Sequence, residues 1–136
     1  MNTKTIRTIA SFSMAIAVAA GAMGAHYLKS VLEVKQLNSF ETGVRYLIIH
    51  CLALLIISNV NNYQNNKSLQ RASLVMCLGV LLFSGSIFLL STRSLTGLES
   101  IDILVFATPL GGVLLIISWI IMALYFMKEK TNNESC

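Results

Sequence analysis

A histidine inside an apolar stretch is the side chain of this sequence best suited to chemistry. His50 follows Thr42 and Tyr46 at intervals of four, so a helix would place all three on one face. An ionisable group within a membrane span is costly to bury unless it is paired. The spacing therefore predicts a polar centre at Tyr46 and His50. It is either a neutral imidazole satisfied by a hydroxyl or carbonyl that holds helices together, or a group that handles a substrate or ion.

Glu41 and Arg45 form a second candidate pair. They are four residues apart with the acid first, which is the favourable order for a helical ion pair. At about 100° per residue, Glu41 lies about 180° and Arg45 about 140° from His50 around a helix. We therefore predict an interfacial ion pair that anchors the helix and is separate from the histidine.

Metal, haem and enzyme chemistry find little support in the residue pattern. His26 is predicted near the outer end of the first span, above the centre at Tyr46 and His50, but about 10 Å from the depth of His50. That difference disfavours joint ligation of one iron. Cys51, Cys77 and Cys136 show no CxxC spacing, and the sequence holds no GxSxG, Walker or HExxH motif. We predict no enzyme activity, no cofactor and no metal site.

The elements that position these residues follow from the charge pattern. The chain has 136 residues, of which 12% are charged and 55% hydrophobic, and its mean hydropathy is +0.72. So few charges disfavour a soluble enzyme and exclude a disordered chain, a coiled coil or a nucleic-acid module. Uncharged stretches of 21, 21, 21 and 25 residues follow Arg7, Arg45, Arg71 and Asp102. Since about 20 apolar residues cross a bilayer, we predict an all-α, four-helix transmembrane bundle in a single domain.

The predicted spans are residues 9–28, 39–60, 72–91 and 109–127. Asn38 as N-cap with Glu41 three residues later resembles a capping box for the second span. Thr108 followed by Pro109 is typical of an N-cap and first helical position for the fourth. Spaced apolar residues after Gly97 predict a short interfacial helix before that span. Signal-peptide cleavage after the first span is disfavoured, because its uncharged run is longer than a signal core.

Small residues predict where the helices pack. The first span carries one stripe of small residues at Ala17, Gly21 and Gly24, and a second on the side of His26, so we expect it to lie between neighbours. The second stripe consists of Ala15, Ala19 and Ala22. In the third span, Ser84-Gly85-Ser86 predicts close backbone approach, and in the fourth a face with Gly111, Ser118 and Met122 is suited to receive another helix.

Basic residues predict the orientation. Six lysines and arginines fall on the side of both termini and four on the other side, and with the acids counted the whole net charge of +4 lies on the first side. Because basic residues are retained in the cytoplasm, both termini are predicted to be cytoplasmic.

Four motifs in order resemble a known family. They are residues 21–26 (GAMGAH), 40–46 (FETGVRY), 82–86 (LFSGS) and 108–112 (TPLGG). Together they are similar to the domain-of-unknown-function 423 family of small multi-pass membrane proteins, which includes transmembrane protein 256. The resemblance covers about residues 9–123. It implies a bacterial plasma-membrane protein with four spans and no assigned biochemical activity.

The functional prediction is a non-enzymatic membrane protein that is structural or binds a partner in the cell membrane. Its expected partners are the lipid bilayer and a second copy or another membrane protein, and not nucleic acid. The alternative is a small-molecule or ion transporter that uses an outward-opening centre around His50. Resemblance to small multidrug exporters fails, because all six acids lie outside the spans or in their first turns and none is near the membrane centre.

Overall fold

Four long helices form the protein in a computed structural model that describes residues 2–61, 63–97 and 103–133. They are α1 (Thr3–Met23), α2 (Val34–Ile57), α3 (Lys67–Ser91) and α4 (Ile103–Asn133). A π-helical turn, Gly24–Leu28, and a short helix, Lys29–Val31, extend α1, and Arg93–Thr96 forms a short helix after α3. All four long segments are long and apolar enough to cross a membrane. The all-α, four-helix prediction is confirmed.

The second helix begins earlier than its sequence motif predicts. Its N-cap is Glu33, whose side chain accepts a hydrogen bond from the backbone of Gln36, while the Gln36 side chain accepts one from the Glu33 backbone at 3.2 Å. The capping box predicted at Asn38 and Glu41 is therefore wrong. Asn38 lies inside α2, where its carbonyl oxygen accepts a bond from the Thr42 hydroxyl at 2.9 Å. Of two capping motifs five residues apart, the upstream one forms the reciprocal bonds, so α2 begins there.

The fourth helix also begins upstream of its predicted cap. Pro109 lies inside α4, so Thr108 is neither an N-cap nor next to the first helical position. The Thr108 hydroxyl instead lies 2.7 Å from that of Ser86 on α3 and 3.5 Å from the Leu104 carbonyl oxygen. These bonds tie α4 to α3 and to its own preceding turn next to Pro109, which has no backbone N–H donor. Most of the short helix predicted after Gly97 lies outside the described residues.

The helices pack in chain order, α1 on α2, α2 on α3 and α3 on α4, and the last contact is the most extensive. The predicted face of α4 is confirmed as the contact with α3. Ser118 donates to the Ala72 carbonyl oxygen at 2.9 Å, and a Cβ added at Gly111 would lie 2.5 Å from the Phe83 backbone nitrogen. Close approach occurs there and at Gly79, and not at Gly85, where an added Cβ would meet nothing within 4 Å. The prediction for Ser84-Gly85-Ser86 is corrected accordingly.

The first helix lies at the edge of the bundle. The stripe with Ala17, Gly21 and Gly24 packs on α2, and a Cβ at Gly24 would lie 3.5 Å from the Phe40 ring. The opposite stripe is exposed, which contradicts the expectation of neighbours on both sides. That stripe is Ala15, Ala19 and Ala22. Its residues are small but also apolar, so in the single chain they are compatible with a surface that faces hydrocarbon.

The connection between α2 and α3 holds α1 in place. Arg7 donates to the Ser58 hydroxyl and carbonyl oxygens, each at 3.2 Å, and to the Asn59 side chain at 2.7 Å. In the same connection the Tyr63 ring is buried in the core, and this burial raises the pKa of the Tyr63 phenol. The end of α2 at Ile57 is thus tied both to α1 and to the start of α3.

Candidate functional site

His50 is buried and uses both of its ring nitrogens. Its exposed fraction is 5%. The Nδ1 atom lies 2.7 Å from the Tyr46 carbonyl oxygen, and the Trp119 indole nitrogen donates to Nε2 at 3.3 Å. A carbonyl can only accept and an indole can only donate. The imidazole is therefore neutral, with its proton on Nδ1 and its lone pair on Nε2 directed to α4.

Tyr46 contacts His50 through both its backbone and its ring. The backbone oxygen of Tyr46 accepts the bond, because it lies one helical turn before the imidazole. The Tyr46 ring is stacked on the imidazole with centroids 5.8 Å apart, and it also contacts the Phe83 ring with centroids 4.4 Å apart. The pair is brought together as an aromatic stack that links α2 and α3.

Trp119 completes the centre and was not predicted from the sequence. Its ring meets the imidazole edge-on with centroids 6.2 Å apart. The available signal was that this is the sole tryptophan of the chain and lies inside an apolar span, where an indole N–H needs an acceptor. Which acceptor it finds depends on how α4 packs, so spacing along the sequence did not reveal it.

The other candidate residues lie apart from this centre. His26 is on the exposed side of the π-helical turn and makes neither a hydrogen bond nor a ring contact with Tyr46 or His50, all three being described residues. Glu41 and Arg45 are both exposed, and the Arg45 Nε donates to the backbone oxygen of Glu41 at 3.4 Å instead of to its carboxylate. The arginine bends back along its own helix, since the carbonyl one turn earlier is within reach.

A cavity of about 750 Å³ opens at one end of the bundle, where α2 begins and α3 ends. Thr42 lies at its wall, one turn before Tyr46, and Thr108 lies across from it on α4. Apolar side chains of α3 and α4 complete the wall. The charged residues that line it are Glu33, Lys35 and Arg93. The cavity thus has charged residues near the helix ends, and threonine and apolar side chains line the rest of its wall.

An apolar groove of about 380 Å³ lies between α1 and α3, over α2. Cys51 and Leu54 form part of its floor, and Ile16 and Leu81 stand on opposite walls. The buried Ser84 hydroxyl beside it has no hydrogen-bond partner among the described residues. Among the residues that the structure describes, no group of three or more histidine, cysteine or acidic side chains is placed to hold a metal ion.

Comparisons of the sequence with known proteins find matches to one family. The family model described as "Protein of unknown function (DUF423)" matches residues 20–112. The chain is 34% identical over 124 residues to a UPF0382 membrane protein of Haemophilus influenzae, covering 91% of this chain and 94% of that protein. It is 35% identical to the UPF0382 membrane protein YwdK of Bacillus subtilis, covering 92% and 98% of the two chains. To the UPF0382 inner membrane protein YgdD of Escherichia coli it is 29% identical, covering 99% and 98%. No solved structure matches the chain.

Proposed function

The chain belongs to the DUF423 family of bacterial membrane proteins, and on this premise we propose that it acts without catalysis, as a structural or partner-binding component of the cell membrane. The observation that carries the proposal is the hydrogen bond from Trp119 to His50. It joins α4 to α2 across the bundle. His50, which is buried inside a candidate span, thereby serves the packing of helices.

Both ring nitrogens of His50 are hydrogen-bonded, which argues against a role in proton transfer or metal binding. A general base or a metal ligand needs a free imidazole lone pair, and the His50 lone pair accepts the indole proton. Protonation would break that bond inside an apolar core. The bond therefore favours a permanently neutral, structural histidine.

A stability measurement tests this role. We expect His50→Ala to lower the melting temperature in detergent by several degrees, because it removes two hydrogen bonds and leaves the indole N–H unpaired, a loss of about 2 kcal/mol. His26→Ala is the matched control, since His26 is exposed, and should melt as the wild type does. Equal melting temperatures for His50→Ala and the wild type would contradict the structural role.

Transport is the second candidate, and the cavity at the end of the bundle favours it. Thr42 in the cavity wall and Tyr46 below it form a line toward His50. If His50 moves protons, proteoliposomes that contain the protein and a trapped pH dye should show proton flux that His50→Ala abolishes and His26→Ala retains. Flux of that kind in a variant that stays folded would overturn the structural proposal, and no flux above that of empty liposomes would support it.

Orientation and self-association belong to the same proposal. The excess of basic residues supports both termini in the cytoplasm, and the cavity beside Lys35 then opens to the outer side.

The exposed small-residue stripe of α1 supports contact with a second copy, because small side chains let helices approach closely. Native mass spectrometry of the purified protein counts the copies, and a strictly monomeric species would leave another membrane protein or lipid as the partner.

A further inference from the structure

The cavity at the end of the bundle combines features that no role of His50 explains. It carries two basic side chains, Lys35 near the start of α2 and Arg93 just after α3, against one acid, Glu33. The acid is already engaged, since its side chain caps α2. The charged rim thus has a net charge of +1 and two cationic donors from different helices.

The position of the cavity is that of a membrane–water boundary. It lies where α2 begins and α3 ends, so its rim is at the ends of two candidate spans. Its wall also includes the apolar side chains Ile87, Leu90 and Val105. A ligand with one charged group and an apolar portion matches this lining.

An exposed aromatic seam continues from the cavity toward the bilayer centre. On α2, Tyr46 follows Thr42 by one turn and is 40% exposed. On α4, Trp119 follows Thr108 by 11 residues, which returns it to nearly the same face about 16 Å further along, and it is 44% exposed. Half of a hydrocarbon core of about 30 Å is about 15 Å, so the seam has the length of one acyl chain.

We propose that the cavity and the seam bind one phospholipid, with its phosphodiester between Lys35 and Arg93 and one acyl chain along Tyr46 and Trp119. The single negative charge of a phosphodiester with a neutral alcohol, as in phosphatidylglycerol, matches the net charge of the rim. Lysine and arginine both bind phosphate well. This deepens the partner binding of the proposed function and rests on it only in taking the four helices as membrane spans.

The sole tryptophan gives a direct measurement, because Trp119 lies on the seam. Delipidated protein in detergent is titrated with phosphatidylglycerol brominated on its acyl chains, and quenching of Trp119 fluorescence is followed. We expect saturable quenching with one lipid per chain, and a half-saturating concentration about tenfold higher in the double variant Lys35→Gln, Arg93→Gln. The matched control is Lys67→Gln, Arg71→Gln, which removes two charges at the other end of α3 and should bind as the wild type does.

Two further ligands separate the sources of affinity. Brominated diacylglycerol has the chains without the phosphate, and we expect it to bind at least about tenfold more weakly than the phospholipid. Inorganic phosphate has the charge without the chains and should not displace the lipid at millimolar concentration. Equal binding of the two lipids, displacement by phosphate, or unchanged affinity in the double variant would each overturn the proposal.

Failure of the lipid-binding proposal can be distinguished from failure of the structural role proposed for His50. Lys35 and Arg93 are exposed and make no contact with His50, so their substitution leaves the His50 bonds in place. Should the double variant not fold, Arg93→Gln alone provides the same comparison with Arg71→Gln. The melting temperature of His50→Ala reports on the helix packing whatever the lipid titration gives.

Discussion

The two nitrogens of His50 are each matched to a group that offers only one half of a hydrogen bond. The Tyr46 carbonyl oxygen accepts from Nδ1, and the Trp119 indole donates to Nε2. Reversing the tautomer would set lone pair against lone pair and proton against proton. In a core without water, reversing the tautomer costs more free energy than losing either hydrogen bond alone, because each unpaired group would stay desolvated.

Removing only the indole donor tests this arrangement at the scale of one atom. Trp119→Phe keeps an aromatic ring and deletes the N–H, so the His50 Nε2 loses its partner. We expect the free energy of unfolding to fall by about 1–2 kcal/mol, measured by denaturation in mixed micelles. Trp119→Phe in a His50→Leu background should cost much less, since no acceptor remains, and equal costs in the two backgrounds would contradict a coupled pair.

The sequence predicts the contact of His50 with Tyr46 and does not predict its contact with Trp119. The spacing of Tyr46 and His50 along one helix is visible in the printed residues, and the structure does place their rings side by side. Their partner Trp119 is 69 residues further along, and its contact depends on how α4 is rotated against α3. Of the two partners predicted for the imidazole, a hydroxyl or a carbonyl, Tyr46 supplies the carbonyl, because a helix places the carbonyl of residue i−4 closer to an imidazole than a phenol on the same face.

The helices show which local signals outweigh others. Asn66 caps the start of α3, because its side chain accepts hydrogen bonds from the backbone of Ser68 and Leu69. The sequence predicts Pro109 at the first helical position, whereas α4 continues through it. Outside water a broken helix would leave several backbone groups unpaired, so a lone proline costs less than a helix end. Length and hydropathy predicted the helices, and their ends were decided by side-chain bonds.

Two adjacent glycines on α4 provide a test of the tightest helix contact. A Cβ at Gly111 would come within 2.5 Å of the Phe83 backbone, whereas at Gly112 it would meet only the Phe83 ring at 3.7 Å. We expect Gly111→Ala to destabilise the protein by about 1–3 kcal/mol, because α3 and α4 must separate. Gly112→Ala should be neutral or slightly stabilising in the same helix.

The measurement is the thermal melting of both variants in one detergent. The added methyl, the helix and the residue type are the same, so only the distance to α3 differs. If both variants melted alike, the close packing of α3 against α4 at Gly111 would be contradicted.

The four helices pack in chain order, and the molecule as a whole therefore has two different open surfaces. Because α1 packs mainly on α2 and α4 mainly on α3, an apolar groove lies between α1 and α3, and a cavity with charged residues at its rim lies where α2 begins, α3 ends and α4 begins. A bundle closed on itself would have neither. The composition predicted a membrane protein, but this open order follows from contacts between helices that the composition does not encode.

The distribution of charge predicts how the whole molecule is oriented. The side of both termini carries six basic residues and the whole excess of +4, so a reporter at the C-terminus is expected in the cytoplasm. A green fluorescent protein fused there should fluoresce, and alkaline phosphatase fused at the same point should be inactive. Lys67→Glu with Arg71→Glu leaves four basic residues on each side, so we expect this variant to give both signals as a mixed population. Exclusive phosphatase activity of the wild-type fusion would reverse the orientation and put the cavity on the cytoplasmic side.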